Sequence, residues 1–112
     1  TLFGVSVHGD VILAYGLRGN LFVSKDHAGS WSHIENGQKG GLIDAIRLDE
    51  KYSLIVSQRG EMTRLNHETL RVDPVDTAFN GAVNSMVLVS SKNTLVAALF
   101  NGTTTLDSKQ FQ

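Results

Sequence analysis

The stretch Ser24-Lys25-Asp26-His27-Ala28-Gly29-Ser30-Trp31 lies between two short apolar segments. These eight residues are predicted to form a hairpin turn. We expect Asp26 to accept hydrogen bonds from the backbone N–H groups that follow it, as short acidic side chains do in turns. Gly29 is expected to supply the positive φ angle that closes the turn at little steric cost. Trp31 begins the next strand, and its size predicts burial, so that Trp31→Ala should destabilise the fold by about 3–5 kcal/mol.

These eight residues resemble the Asp box of the BNR repeat, S-x-D-x-G-x-T-W. Ala28 stands where the family has glycine, with the glycine one place later, and serine replaces threonine. An ordinary turn before a buried tryptophan is the alternative interpretation. The resemblance implies a β-propeller architecture but no particular chemistry. The structural Asp-box residues that it implies are Ser24, Asp26, Gly29, Ser30 and Trp31.

The composition is that of one small folded domain. The chain has 112 residues, of which 41% are hydrophobic and 19% are charged. Its net charge of −1 does not favour nucleic acid or an anionic membrane as a partner. The absence of cysteine excludes disulfides and thiol catalysis. No apolar run approaches the roughly 18 residues of a membrane span. Because the sequence opens on Thr1 rather than Met, we expect a processed or excised piece of a longer product.

Short apolar segments and turns alternate along the chain and recur in one order. Gly19, Gly60 and Gly102 lie 41 and 42 residues apart, and each follows an apolar strand. The predicted repeats cover approximately 1–40, 41–81 and 82–112, the last of them truncated. Ala78–Gly81 is predicted to be the loop that ends the second repeat. The predicted strands are 1–8, 11–17, 21–25, 31–35, 42–48, 52–57, 61–65, 70–75, 83–89, 94–100 and 103–106.

A repeat of about 40 to 45 residues with four strands is typical of propeller blades. We therefore predict an all-β fold in which residues 1–112 form a single β-propeller fragment of about 2.75 four-stranded antiparallel blades. A single antiparallel sandwich is the competing interpretation, but it leaves the regular spacing unexplained. An incomplete propeller exposes apolar faces at both ends, so we expect further blades from a longer chain or self-association.

The resemblance extends to Ycf48-like propellers, known as photosystem II stability or assembly factors, and implies a non-catalytic scaffold that binds protein partners. The turns between second and third strands carry Arg18, Arg59 and Asn101, and the loop between the first two repeats carries Lys39. Arginine presents a planar fork of donors that suits carboxylates and carbonyls at interfaces. These four residues are the predicted binding residues, although charged, solvated hairpin tips are an equally good interpretation.

A sialidase-type glycosidase is the alternative function, because that family also carries Asp boxes. Its chemistry needs an arginine cluster and a tyrosine nucleophile paired with a glutamate. Arg18 and Arg59 would supply two arginines, but Tyr15 and Tyr52 lie inside predicted strands, where packing is the better interpretation. No Tyr–Glu pairing follows from the spacing, so we predict no catalytic residues and no hydrolysis of sialosides.

The remaining polar residues predict no further chemistry. His8, His27, His33 and His67 show no metal-ligand spacing and are expected in exposed turns or edges. We predict no cofactor, no metal, no nucleic acid partner and no insertion into a membrane. The resemblance weakly favours an extracytoplasmic location, periplasmic or secreted.

Overall fold

A computed structural model of the chain describes residues 2–75, 83–89, 94–99 and 102–107, and this part of the chain is all β. The predicted loop Ala78–Gly81 and the predicted binding residue Asn101 lie outside the described residues. The strands are Leu2–His8 (β1), Val11–Gly16 (β2), Leu21–Ser24 (β3), Ser32–His33 (β4), Leu42–Arg47 (β5), Tyr52–Ser57 (β6), Met62–Asn66 (β7), Val72–Val75 (β8), Val83–Val89 (β9), Thr94–Leu99 (β10) and Gly102–Asp107 (β11).

The strands form three antiparallel sheets, each a meander in which neighbours in sequence are neighbours in space. The first sheet has the order β1-β2-β3-β4, the second β5-β6-β7-β8, and the third β9-β10-β11 with its three strands. Gly19, Gly60 and Gly102 lie where second strands pass to third strands, and all three have positive φ angles (72°, 85° and 143°). The prediction of an all-β fold from short antiparallel strands is confirmed.

Local backbone conformation shortens several of the predicted strands. The second strand ends at Gly16 because Leu17–Gly19 form a 3-10 turn in which Arg18 adopts a φ angle of 58°. The fourth strand contains only Ser32–His33. The eighth begins at Val72 rather than Leu70, because Leu70 has a φ angle of 62° and cannot continue a strand.

The sheets are stacked in chain order, and the second sheet lies between the other two. Side chains alternate across a strand, so β6 supplies both contacts: Ile55 joins the apolar cluster shared with the first sheet, while Leu54 and Val56 join the cluster shared with the third. The first strands of successive sheets are neighbours, since β1 contacts β5 and β5 contacts β9. The apolar character of β6 is thus explained by burial on both faces.

The outward faces of the first and third sheets keep exposed apolar side chains. Val5 and Val7 of β1 are 66% and 71% exposed, and Val87 and Val89 of β9 are 56% and 36% exposed. In β1 the exposed valines alternate with Ser6 and His8, which face the second sheet. The uneven exposure therefore reflects the absence of a covering sheet within the described residues.

Candidate functional site

A cleft of about 720 Å³ opens between the first two sheets, at the end of the strands where β1 turns into β2. Three cationic and three acidic side chains surround it, together with two histidines. The lining comprises His8, Gly9, Asp10, Val11, Lys25, Arg47, Glu50, Lys51, His67 and Glu68. Lys25 Nζ donates a hydrogen bond of 2.6 Å to the Glu68 carbonyl oxygen and so links the β3–β4 turn to the β7–β8 turn.

A line of hydrogen bonds runs beneath the cleft and connects the two sheets; we call it the histidine–serine chain. Ser6 Oγ lies 2.5 Å from His8 Nε2, and His8 Nδ1 contacts Ser53 Oγ across the sheet interface. Ser53 Oγ lies 2.6 Å from His67 Nε2, and His67 Nδ1 lies 3.0 Å from the Glu50 carbonyl oxygen. His8, Ser53 and His67 are buried, with exposed fractions of 2%, 0% and 8%.

The carbonyl group of Glu50 fixes the direction of every proton in this chain. A carbonyl only accepts, so His67 Nδ1 carries the hydrogen, and in a neutral ring Nε2 must then accept the Ser53 hydroxyl proton. Ser53 Oγ in turn accepts from His8 Nδ1–H, which leaves His8 Nε2 to accept from the Ser6 hydroxyl. Each of these groups therefore has a partner when both imidazoles are neutral.

Burial of His8 lowers its pKa from 6.5 to about 4, because the imidazolium is poorly solvated there. The neighbouring positive charges of His67 and Arg47 act in the same direction. The rings of His8 and His67 are 6.1 Å apart between centroids and inclined at 70°. The site therefore disfavours the charged form of His8.

The prediction that the histidines occupy exposed turns or edges is wrong for His8 and His67. Folding brings these two together through Ser53, which lies 45 residues from His8 in sequence. His27 and His33 are exposed, as predicted. The alternation of β1 offered one usable signal, because it places His8 on the same face as Ser6, whereas nothing in the spacing identified Ser53 as the connecting group.

Three of the predicted binding residues lie at the opposite end of the strands. Arg18 lies in the β2–β3 turn of the first sheet and Arg59 in the equivalent β6–β7 turn of the second, while Lys39 lies in the loop between the sheets; all three residues are exposed. Asn36 Nδ2 donates 2.8 Å to the Gly19 carbonyl oxygen, while Gly40 lies against the Arg59 side chain. The loop between the sheets therefore contacts both turns. We call the exposed surface formed by Arg18, Lys39 and Arg59 the arginine edge.

The predicted Asp-box turn is held by its two short polar side chains. Asp26 accepts from Ser30 N–H at 2.8 Å and from the Ser30 hydroxyl at 2.6 Å, which confirms the predicted role of Asp26. Ser24 Oγ accepts from Ala28 N–H at 2.9 Å and donates to Asp26 at 2.9 Å. The hydrogen bonds from Ser30 and Ser24 lower the pKa of Asp26 to about 2.

Two expectations for this turn are wrong. The positive φ angles belong to His27 and Ala28 (57° and 71°), not to Gly29, because the turn reverses one residue earlier than predicted. Trp31 is 43% exposed rather than buried, since it precedes a fourth strand of only two residues at the outer edge of the sheet.

Both tyrosine rings pack against neighbouring residues. Tyr15 is 6% exposed, and its hydroxyl lies 2.7 Å from where a Cβ on Gly4 would stand. Burial and the Asp44 charge raise the pKa of Tyr15, while its interaction with the Ser6 hydroxyl acts the other way. The ring of Tyr52 stacks against Arg64, whose guanidinium carbon lies 4.2 Å from the ring centroid.

The described part of the chain offers neither a cluster of metal ligands nor a membrane-spanning helix. Residues 2–75 and the described strands beyond them contain no group of three or more His, Cys, Asp or Glu side chains arranged to hold a metal ion. The same residues contain no helix long and apolar enough to cross a membrane.

No protein-family model and no curated protein matches this chain.

Proposed function

We propose that the chain is a non-catalytic protein-binding or assembly module with a propeller-like arrangement of sheets, of the BNR and Ycf48-like type. Support for the arrangement comes from the stack of three meanders, with neighbouring first strands and a second sheet covered on both faces. In such a stack the turns at one end of the strands form one continuous surface, which is the kind of surface that protein partners contact.

The observation that carries this proposal is the arginine edge. Arg18, Lys39 and Arg59 are exposed there, on turns and a loop that are held to one another through Asn36 and Gly40. Glu35 and Glu61 are exposed on the same end, so the charge is mixed. Recognition would therefore rest on directed hydrogen bonds from the two guanidinium groups to partner carboxylates or carbonyls rather than on a broad positive field.

The sialidase-type alternative is less well supported by the surroundings of the tyrosines. A nucleophile must reach the substrate, whereas Tyr15 is buried behind Gly4 and Tyr52 is covered by Arg64. Ser53 also lies beside histidines, but it is fully buried and its hydroxyl proton is committed to His67. These environments favour binding over hydrolysis.

The experiment compares charge removal at the two ends of the molecule. Arg18→Ala/Arg59→Ala removes the fork donors of the arginine edge, and Lys25→Ala/Arg71→Ala removes two cations from the opposite end. Chemical cross-linking in extracts of the source organism, followed by affinity measurement with each partner identified, should show at least tenfold weaker binding for the first variant alone. Equal binding by both variants would remove the arginine edge from the proposal.

A fluorogenic sialoside assay tests the alternative. We expect no turnover by the unmodified chain. Turnover that is lost in Arg18→Ala or Arg59→Ala would overturn the scaffold proposal in favour of a glycosidase.

A further inference from the structure

The histidine–serine chain is the buried polar part of the contact between the first two sheets, and the exposed Lys25–Glu68 hydrogen bond lies at the edge of this contact. His8 belongs to β1 and Ser53 to β6, while the same interface contains Leu13, Ala45 and Ile55. The contact between the second and third sheets combines an apolar cluster with a hydrogen bond of 3.0 Å from Met86 N–H to the Asp44 carboxylate, and none of the four histidines lies in it. Protonation of a histidine therefore acts on one sheet interface and not on the other.

The number of protons that the chain accepts is limited by the single hydroxyl of Ser53. With one added proton on His67, Ser53 turns its hydroxyl toward His8 Nδ1, and the His8 hydrogen moves to Nε2, where Ser6 accepts it. With a proton added to both rings, two N–H donors face Ser53 Oγ and the hydroxyl hydrogen has no acceptor. An unpaired buried polar group is destabilising, and two adjacent imidazolium charges repel each other.

We propose that the histidine–serine chain is a proton-sensitive latch that holds the first sheet against the second at neutral pH and releases it on acidification. Of the charged groups around the latch, the cations disfavour a protonated His8 and the carboxylates favour it. Arg47 from β5 adds to the repulsion of a charged His8. The acidic groups of the cleft are exposed, so that solvent screens their attraction. These exposed groups are Asp10, Glu50 and Glu68, and the remaining cations are Lys25 and Lys51.

The direction of the pH effect follows from the lowered pKa of His8. A released His8 takes up a proton near its ordinary pKa of 6.5, whereas the latched ring does so only near 4. Stability of the latched state is therefore complete above pH 6.5 and falls as the pH decreases toward 4. Within this window each pH unit changes the opening equilibrium by about tenfold, which gives about 30-fold between pH 7.5 and pH 5.0.

The experiment measures opening at each sheet interface separately, using thiol labelling of the full chain, which has no native cysteine. Ala45→Cys places a thiol in the interface of the first two sheets, and Ala97→Cys places one in the interface of the second and third. Thiol reactivity itself depends on pH, so the ratio of the two labelling rates is the readout. We expect this ratio to rise at least tenfold between pH 7.5 and pH 5.0.

His8→Gln in the Ala45→Cys background should abolish most of that rise, because glutamine does not titrate, whereas His27→Asn, at an exposed histidine, should leave it unchanged. A ratio independent of pH, or a rise that persists in His8→Gln, would overturn the proposal. NMR titration of the unsubstituted chain gives a test that does not depend on the folding of any variant. His8 should titrate below pH 5, with Nδ1–H on both rings at pH 7.5; titration of His8 near 6.5 would contradict the latch.

Discussion

The first and second sheets follow the same four-stranded path but differ in how much of each is covered. Leu54, Ile55 and Val56 at the centre of the second sheet are each 0% exposed, because their strand packs on both sides. In the first sheet Val5 and Val7 stand on an open face. An apolar strand in this chain is therefore compatible with either situation, and the neighbouring sheet decides whether it is covered.

The turns between third and fourth strands in the two sheets are also closed by different side chains. Ser24 and Asp26 hold the first, whereas Asn66 Oδ1 accepts from the N–H groups of Glu68 and Thr69 in the second, at 2.9 and 3.1 Å. The second turn needs no aspartate, and its next residue, His67, is buried in the histidine–serine chain. The second turn therefore forms without the aspartate that holds the first.

The largest expected effect concerns the open faces. Val5 and Val7 on one side and Val87 and Val89 on the other form exposed apolar strips on sheets, and such strips promote association. We predict that the chain self-associates in sedimentation experiments over a wide concentration range and that Val7→Lys/Val87→Lys weakens association at least tenfold. Val11 is buried and does not belong to either exposed strip, so it should not contribute to the contact between molecules.

A stable monomer with a cooperative melt at micromolar concentration would contradict this prediction. The three sheets would then be stable with their outer faces exposed to solvent, and these faces would not drive association.

The next effect contrasts one buried and one exposed side chain. Leu54→Ala should lower the free energy of unfolding by about 2–5 kcal/mol, because it leaves a cavity between the second and third sheets. Val7→Ala, at a residue that is 71% exposed, should change it by less than about 0.5 kcal/mol. Urea unfolding at pH 7.5 and low protein concentration measures both. Similar losses for the two variants would mean that the face of the first sheet is covered in solution.

Substitution of Trp31 should have a smaller effect on the free energy of unfolding than the sequence alone predicted. Because its side chain is 43% exposed, Trp31→Ala should cost about 2 kcal/mol rather than the 3–5 kcal/mol expected for a buried ring. The same unfolding measurement applies, with the fluorescence of Trp31 in the unsubstituted chain as a second readout of its solvent exposure. A loss above about 3 kcal/mol would place the ring in a packed environment.

The smallest effect tests the backbone of the first turn. Ala28 adopts the left-handed conformation, so Ala28→Gly should stabilise the chain by about 1 kcal/mol. Gly29→Ala should destabilise it, since a Cβ there would lie 3.2–3.3 Å from three atoms of Asp26. Thermal melts of the two variants check this. Destabilisation by Ala28→Gly would indicate that Ala28 does not have the positive φ angle.

Much of the fold was predictable because its signals are local. Alternating apolar residues predicted the strands, and Gly19 and Gly60 marked turns that need a positive φ angle. The histidine–serine chain was not predictable in the same way. His8 and Ser53 are 45 residues apart, and neither belongs to a recognisable motif. Their meeting depends on the register and stacking of two sheets, for which a single sequence carries no direct signal.

The sequence by itself determined the order of the strands and the hydrogen bonding of the Asp26 turn, because those depend on residues within a few positions of one another. Only the tertiary structure decided which apolar residues are covered and which polar residues meet. Val7 and Leu54 both lie in apolar strands, yet one is exposed and the other buried. Burial is a property of the neighbouring sheet, and the low dielectric that keeps His8 neutral arises only once that sheet is in place.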